Sequence, residues 1–184
     1  MTLENLQRLI LTDRSAMYAL AAVRDVGPEG AYIAAGFVRN RYWDSLYTSI
    51  SDAPSSDIDV VYYDADYHLK THDLAYEASL KIVLPDTDWQ VRNQARMHKF
   101  GGYPPFSSLE EGLRHWAETA TGIGVRLNAS DELEWISAYG FDDLFDHILR
   151  ITPPMKANDL AGFEKRLTQK GWQTRWPDLT VVRD

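Results

Sequence analysis

Tyr32-Ile33-Ala34-Ala35-Gly36-Phe37-Val38-Arg39-Asn40 and, after a polar connection, Ser56-Asp57-Ile58-Asp59-Val60-Val61-Tyr62-Tyr63-Asp64 form the stretch around which the rest of the chain is arranged. The first run is apolar and feeds a glycine, which predicts a short buried strand (31–35) turning into a helix at Gly36. The second is β-branched and aromatic with two carboxylates at its head, and it predicts a strand over 57–63. Strand side chains alternate faces, so Asp57 and Asp59 project from one side, about 7 Å apart. Carboxylates so placed repel unless a cation or a shared proton relieves them. A hard divalent ion, Mg²⁺ or Mn²⁺, suits them, because it takes oxygen ligands and keeps phosphate oxygens in its shell.

Gly36 stands where backbone can approach an anion closely, and a helix N-terminus favours phosphate. Arg39, one turn in, adds a bidentate grip. Glycine, loop and paired carboxylates together assemble a phosphate cradle beside a metal site. Phosphoryl or nucleotidyl transfer is the chemistry such a pair suits, since metal ions neutralise phosphate charge and activate an incoming hydroxyl.

The chain has 184 residues, which fits one domain, with a core over about 27–105 and a C-terminal part over about 106–184. With no cysteine it has neither disulfides nor thiolate metal ligands, which suits a reducing, cytoplasmic setting. Its formal net charge is −8. Proteins that grip long nucleic acid by its backbone are usually basic, so this balance argues against such a partner. The N-terminus carries acid early and has no basic leader, so it reads as an amphipathic helix, not a signal peptide. No apolar run approaches 18 residues, and no membrane span is expected.

Residues 2–26 read as helix, with Thr12-Asp13 placed to divide it in two. Gly27-Pro28 stops it, and 37–47 is the helix after the glycine turn. The polar tract Thr48–Ser56 is a loop leading to the central strand. A helix over 70–84 ends at Pro85, and Trp89–Gln94 is a second strand beside the first. Gly101-Gly102-Tyr103-Pro104-Pro105 is a loop. Ser107 or Ser108 caps a helix reaching about Glu118. Thr121–Leu127 and Leu133–Ala138 form a hairpin, and Asp142 or Asp143 begins a helix ending near Leu149. Pro153-Pro154 separates a last helix, about 158–170, from what precedes it.

Gly36-Phe37-Val38-Arg39-Asn40 followed by Asp57-Ile58-Asp59-Val60 resembles the nucleotidyltransferase superfamily shared with DNA polymerase beta. It looks most like the Gly-Gly-x-Val-Arg-Asp and Asp-x-Asp pair of tRNA nucleotidyltransferases. Further runs resemble a small bacterial nucleotidyltransferase-like family of undefined substrate: Trp89 to His98, Trp116 to Thr121, Tyr139 to Phe145, Lys170-Gly171-Trp172 and Trp176-Pro177. The similarity covers about residues 30–180. It implies an α/β fold, a short mixed sheet flanked by helices, with a C-terminal α+β extension. By position, Gly36 and Arg39 would face the nucleotide phosphates, Asn40 would belong to the same nucleotide site, and Asp57 and Asp59 would hold the metal and carry catalysis, with an NTP as substrate.

Two positions depart from that pattern. Phe37 stands where the superfamily has serine. Gln90 stands where relatives carry a third carboxylate on the neighbouring strand, and a neutral amide neither acts as a base nor binds Mg²⁺ well. Asp88, two residues earlier, and Glu134, on a later strand, are the alternatives. Asn93 and Gln94 are candidates for base or ribose contacts, or for structural bonds to loops. Thr119, Thr121 and Arg126 are candidates for the acceptor side. The histidines show no zinc spacing, and Trp172 and Trp176 are read as docking the tail. The expected activity is Mg²⁺-dependent transfer of a nucleoside monophosphate from an NTP to a small-molecule or protein hydroxyl. The alternative is a catalytically impaired nucleotide-binding module of the same fold.

Overall fold

The structure, a computed structural model, describes residues 2–48, 57–67 and 69–184. Most of the connection expected over Thr48–Ser56, residues 49–56, lies outside the described residues. Asp13 divides the N-terminal helical run. Its carboxylate accepts from the amides of Ser15 and Ala16 at 2.9 and 3.1 Å, capping α2 (Arg14–Val26) where α1 (Leu3–Thr12) ends. These helices bury Leu6, Ile10, Ala19, Leu20 and Val23, the apolar positions of their helical period.

The chain then enters β1 (Tyr32–Ile33) and turns at Ala35 into α3 (Gly36–Asp44). After β2 (Ile58–Tyr62), α4 (Lys70–Val83) carries it back to β3 (Trp89–Asn93), parallel to β2 as a helical crossover permits. A 3₁₀ turn (Gln94–Arg96), α5 (His98–Gly101) and α6 (Leu109–Arg114) follow, α6 being capped by Ser108 Oγ. β4 (Ile123–Leu127) and β5 (Leu133–Ser137) form the expected hairpin, with Asp131 at φ 62° in its turn. The C-terminal part is α7 (Asp142–Phe145), β6 (Ile148–Arg150), α8 (Pro153–Lys170), α9 (Trp172–Arg175) and β7 (Thr180–Val182).

The main sheet has the order β3-β2-β1-β4-β5, and only β2 and β3 run parallel. Its larger core packs Ile33, Val60, Tyr62, Val91, Ile123 and Val125 with α1, α2, α3 and Leu80 of α4. The opposite face is thinly covered: Ala34, Val61, Leu113 and Ala138 form a small cluster there. By alternation Asp57, Asp59, Gln90 and Arg92 share the face of Val61, at the end of the sheet next to the start of α3.

Three segments differ from their sequence-based expectation. The helix expected from Asp142 to Leu149 closes after Phe145, and Ile148–Arg150 becomes a strand because it pairs with Thr180–Val182. The helix from Ser108 stops at Arg114, before a separate 3₁₀ turn at Thr119–Thr121. Pro153 and Pro154 do not precede the last helix but occupy its first turn, where a missing amide hydrogen costs nothing. That helix breaks at Asp159, whose carboxylate accepts from Gly162 N at 2.8 Å and so restarts it. Among the described residues no helix is long and apolar enough to cross a membrane.

Candidate functional site

The turn from β1 into α3 is held from two sides. Ala34 N donates to Asp59 O at 2.9 Å, and Ala35 N donates to Thr121 O at 3.3 Å. Ala35 takes φ 56° and ψ −127°, a conformation that L side chains rarely adopt, at the point where the backbone swings into the helix. Gly36 follows, and a Cβ there would stand 3.0 Å from Asn40 Nδ2. In the first turn of α3, Phe37 N donates to Ala34 O at 3.2 Å and Arg39 N to Ala35 O at 3.5 Å, which leaves the amides of Gly36 and Val38 as the donors an anion could meet.

Arg39 lies beneath this turn, only 5 % exposed. Asn40 Oδ1 accepts from its Nε and Nη2 at 3.2 and 2.9 Å, so Asn40 both covers Gly36 and orients Arg39. The guanidinium carbon lies 4.7 Å from the ring centre of Trp172 and 5.6 Å from those of Trp43 and Trp176. Its Nη1 is buried with no hydrogen-bond partner among the described residues. Burial pushes this guanidinium down to about 10, against the pull of Glu118.

Asp59 is half-buried in β2, and Asp57 precedes the strand in the same state. Burial and then the charge of Asp57 push the Asp59 carboxyl up to about 6, opposed by Arg92, Arg166 and Lys170. Two carboxylates set against each other in partial burial form a donor set that a divalent cation suits. Among the described residues no three His, Asp or Glu side chains converge into a self-sufficient metal centre. An ion held there would complete its shell with further oxygen ligands, water among them.

Gln90 is the register partner of Asp59, and its Oε1 accepts from Arg92 Nη2 at 3.2 Å. Arg92 is itself tied to Glu77 at 2.6 Å. Asp88 extends the same register to lie beside Asp57. Its carbonyl accepts from Ile58 N at 2.8 Å, and both aspartates line a cavity of about 260 Å³ with Phe37, Arg41, Asp86 and Thr87. Glu134 stands on β5, with β1 and β4 between it and β2, about 14 Å by strand spacing, and Arg126 binds it at 2.5 Å. Glu134 is thereby removed as a substitute third carboxylate, and Arg126 is turned onto the ring of Tyr32.

Asn93 and Gln94 are buried. Asn93 donates to the carbonyls of Asp64 and Tyr67 and accepts from the amides of Asp64 and Ala95. Gln94 accepts from Trp116 Nε1 and donates to Arg92 O. Of their two sequence readings, these contacts are the structural one. Thr119 Oγ1 donates to Asp143, which Arg150 also binds, and Thr121 Oγ1 donates to Glu118.

Glu118 is the residue that sequence reasoning missed. It is fully buried, and Arg166 Nε of α8 donates to it at 2.6 Å. Its signal was an acid inside the run Trp116–Thr121, but nothing local announces a partner 48 residues away.

Residues 21–181 match the profile of a family described as nucleotidyltransferase. Among solved structures, one described as an NMR structure revealing a CCA-adding enzyme head domain superposes with TM-score 0.84 at 27 % identity, over 98 % of this chain and 96 % of that one. A CCA-adding enzyme in complex with CTP superposes with TM-score 0.61 at 16 % identity, over 96 % of this chain and 43 % of the other. A complex of a tRNA-processing enzyme does so with TM-score 0.56 at 16 % identity, over 89 % and 43 %. The last two share the fold, and this chain spans less than half their length. No curated protein matches the chain.

Proposed function

The chain belongs to the nucleotidyltransferase family, and from that premise we propose that it moves a nucleoside monophosphate from an NTP to an acceptor hydroxyl. Asp57 and Asp59 would hold a divalent ion, Mg²⁺ or Mn²⁺, which would neutralise phosphate charge and favour loss of the acceptor proton. Gly36 lets the α3 amides approach the phosphates, Asn40 keeps Arg39 in place behind them, and Arg39 contributes positive charge. The acceptor oxygen attacks the α-phosphorus, and the bond from that phosphorus to the bridging oxygen breaks. Its electron pair leaves with pyrophosphate, and the hydroxyl proton passes to solvent, since Gln90 offers no base.

The observation that carries this reading is the position of Asp59. It is set beside Asp57, under the start of α3, where Ala34 N donates to its carbonyl at 2.9 Å, and burial and the charge of Asp57 push its carboxyl up to about 6. The acceptor we infer is a small-molecule or protein hydroxyl, because a net charge of −8 opposes a long nucleic-acid backbone. The test is transfer of labelled NMP from each of the four NTPs with Mg²⁺ or Mn²⁺. Loss of all metal-dependent nucleotide binding in Asp59→Asn is expected, and unchanged binding overturns the proposal.

Gln90, with its side-chain oxygen taken by Arg92, favours a second reading: a module that binds Mg²⁺ and NTP without turnover. Gln90→Glu separates the two. A rise in transfer rate over a measurable wild-type rate supports the enzyme, and binding without any transfer in the wild type supports the module.

A further inference from the structure

Two arginines share one tryptophan. The guanidinium carbons of Arg39 and Arg166 lie 4.7 and 5.3 Å from the ring centre of Trp172. One buried carboxylate, Glu118, lies between them, and of the two arginines Arg166 alone donates to it among the described residues. Arg39 has the neutral amide of Asn40 instead, and its buried Nη1 has no partner among the described residues. Within hydrogen-bond reach this cluster therefore offers one carboxylate to two guanidiniums, a set with donors left to take a further anion.

Arg166 is also preorganised. Its Nε is fixed on Glu118, and neither Nη makes a hydrogen bond among the described residues. Lys170 stands four residues on, so it shares the helix face of Arg166, and it is exposed. Glu118 reaches the phosphate turn as well, because Thr121 donates to it through Oγ1 and accepts from Ala35 N through its carbonyl.

We propose that α8 completes the phosphate site: the two Nη groups of Arg166, and Lys170 one turn on, take the terminal phosphates of the NTP, the part that departs as pyrophosphate. This rests on the transfer reading above. When the bond to the α-phosphorus breaks, its electron pair goes to the bridging oxygen, and negative charge grows on the departing pyrophosphate. A guanidinium fork matches two phosphate oxygens at once, and an ammonium adds a point charge. An NMP lacks that half of the ligand, so its binding does not call on α8.

The experiment compares the full-length wild type, Lys170→Gln, and the paired variant Glu118→Gln with Arg166→Gln, which leaves no unpaired buried carboxylate. Calorimetric titration in Mg²⁺ uses an NTP, the matching NMP, and inorganic tripolyphosphate. Each variant is expected to bind NTP and tripolyphosphate about tenfold more weakly and to hold NMP within twofold of wild type. If the wild type transfers NMP while both variants keep wild-type affinity for NTP and tripolyphosphate, the α8 site is overturned and the transfer reading stands. Tripolyphosphate binding that is lost in the variants, with no transfer by the wild type, keeps the α8 anion site and sinks the transfer reading. A wild type that binds neither phosphate ligand overturns both.

Discussion

The side-chain amide of Asn40 fills the space over Gly36: a Cβ built on that glycine would stand 3.0 Å from Asn40 Nδ2. Asn40 Oδ1 meanwhile holds two nitrogens of Arg39. Gly36→Ala must therefore shift Asn40 by a few tenths of an ångström and loosen its hold on Arg39. We expect a stability loss of about 1 kcal/mol, as for mild overpacking, and a larger fall in NTP affinity. Gly36→Ala combined with Asn40→Ala relieves the crowding but leaves two buried nitrogens of Arg39 without their acceptor, so it should recover neither stability nor affinity. Urea denaturation and NTP titration of the two proteins check this, and full recovery of both would show that Asn40 orients nothing.

Ala35 holds φ 56° with ψ −127° one residue before that glycine. Such a conformation costs about 1–3 kcal/mol for a residue with a Cβ. Ala35→Gly should raise stability by about 1 kcal/mol, the strain relieved exceeding the added freedom of the unfolded chain. A β-branched replacement, Ala35→Val, should lower it. Equal melting temperatures for all three proteins would mean that the turn carries no strain.

Asp59→Asn should separate stability from function. In the wild type the carboxyl is pushed up to about 6 by burial and by Asp57, so near neutral pH it is held charged at a cost. The amide removes that cost, on the order of 1–2 kcal/mol for a half-buried group. The metal-free variant should melt higher than wild type at pH 7.5, yet gain no further stability from Mg²⁺ with NTP. A variant that melts lower, or that still responds to Mg²⁺ with NTP, contradicts the assigned role.

Much of this site was legible in the residues themselves. The apolar run into Gly36, the β-branched run behind Asp57 and Asp59, and the strand at Trp89 are local patterns, and each became the expected element. What escaped was non-local. Ile148–Arg150 is too short to declare itself a strand and becomes one only against Thr180–Val182. Arg39 reads as an exposed phosphate hook on its helix, but the indoles that bury it arrive 133 and 137 residues later, at Trp172 and Trp176. The exclusion of Glu134 follows from strand order, which its own strand does not encode.

His147 gives the fold an acid limit. Its ring packs edge-on against Trp43 and Tyr47 at 5.1 and 5.7 Å, and its Nε2 is buried without a partner among the described residues. Burial holds the imidazole below its ordinary value, although Asp178 pulls the other way. The unfolded chain then takes up a proton more readily than the folded one. Stability from this group is present above about pH 6.5 and is lost as pH falls through the lower folded value. His147→Asn also tolerates the positive φ of 59°. Between pH 7.5 and pH 5 its melting temperature should fall less than that of wild type. Parallel curves would place the acid sensitivity elsewhere.

The tail is fastened to α3 through Asp44, the last residue of that helix. Arg175 binds it with two nitrogens at 3.0 and 2.6 Å, and Trp176 Nε1 donates to it at 2.9 Å. Trp176 is fully buried and packs edge-on against Trp43. Asp44→Ala leaves the indole donor and a half-buried guanidinium without their acceptor, a loss of about 2–4 kcal/mol. Asp44→Asn keeps one acceptor oxygen, so its loss should be about half as large. Because Trp172 and Trp176 form two walls around Arg39, loosening the tail should also weaken NTP binding in proportion to the stability lost. Guanidinium unfolding together with NTP titration across the wild type and the two variants tests this coupling. An Asp44→Ala protein that is destabilised but binds NTP at full strength would uncouple the tail from the site.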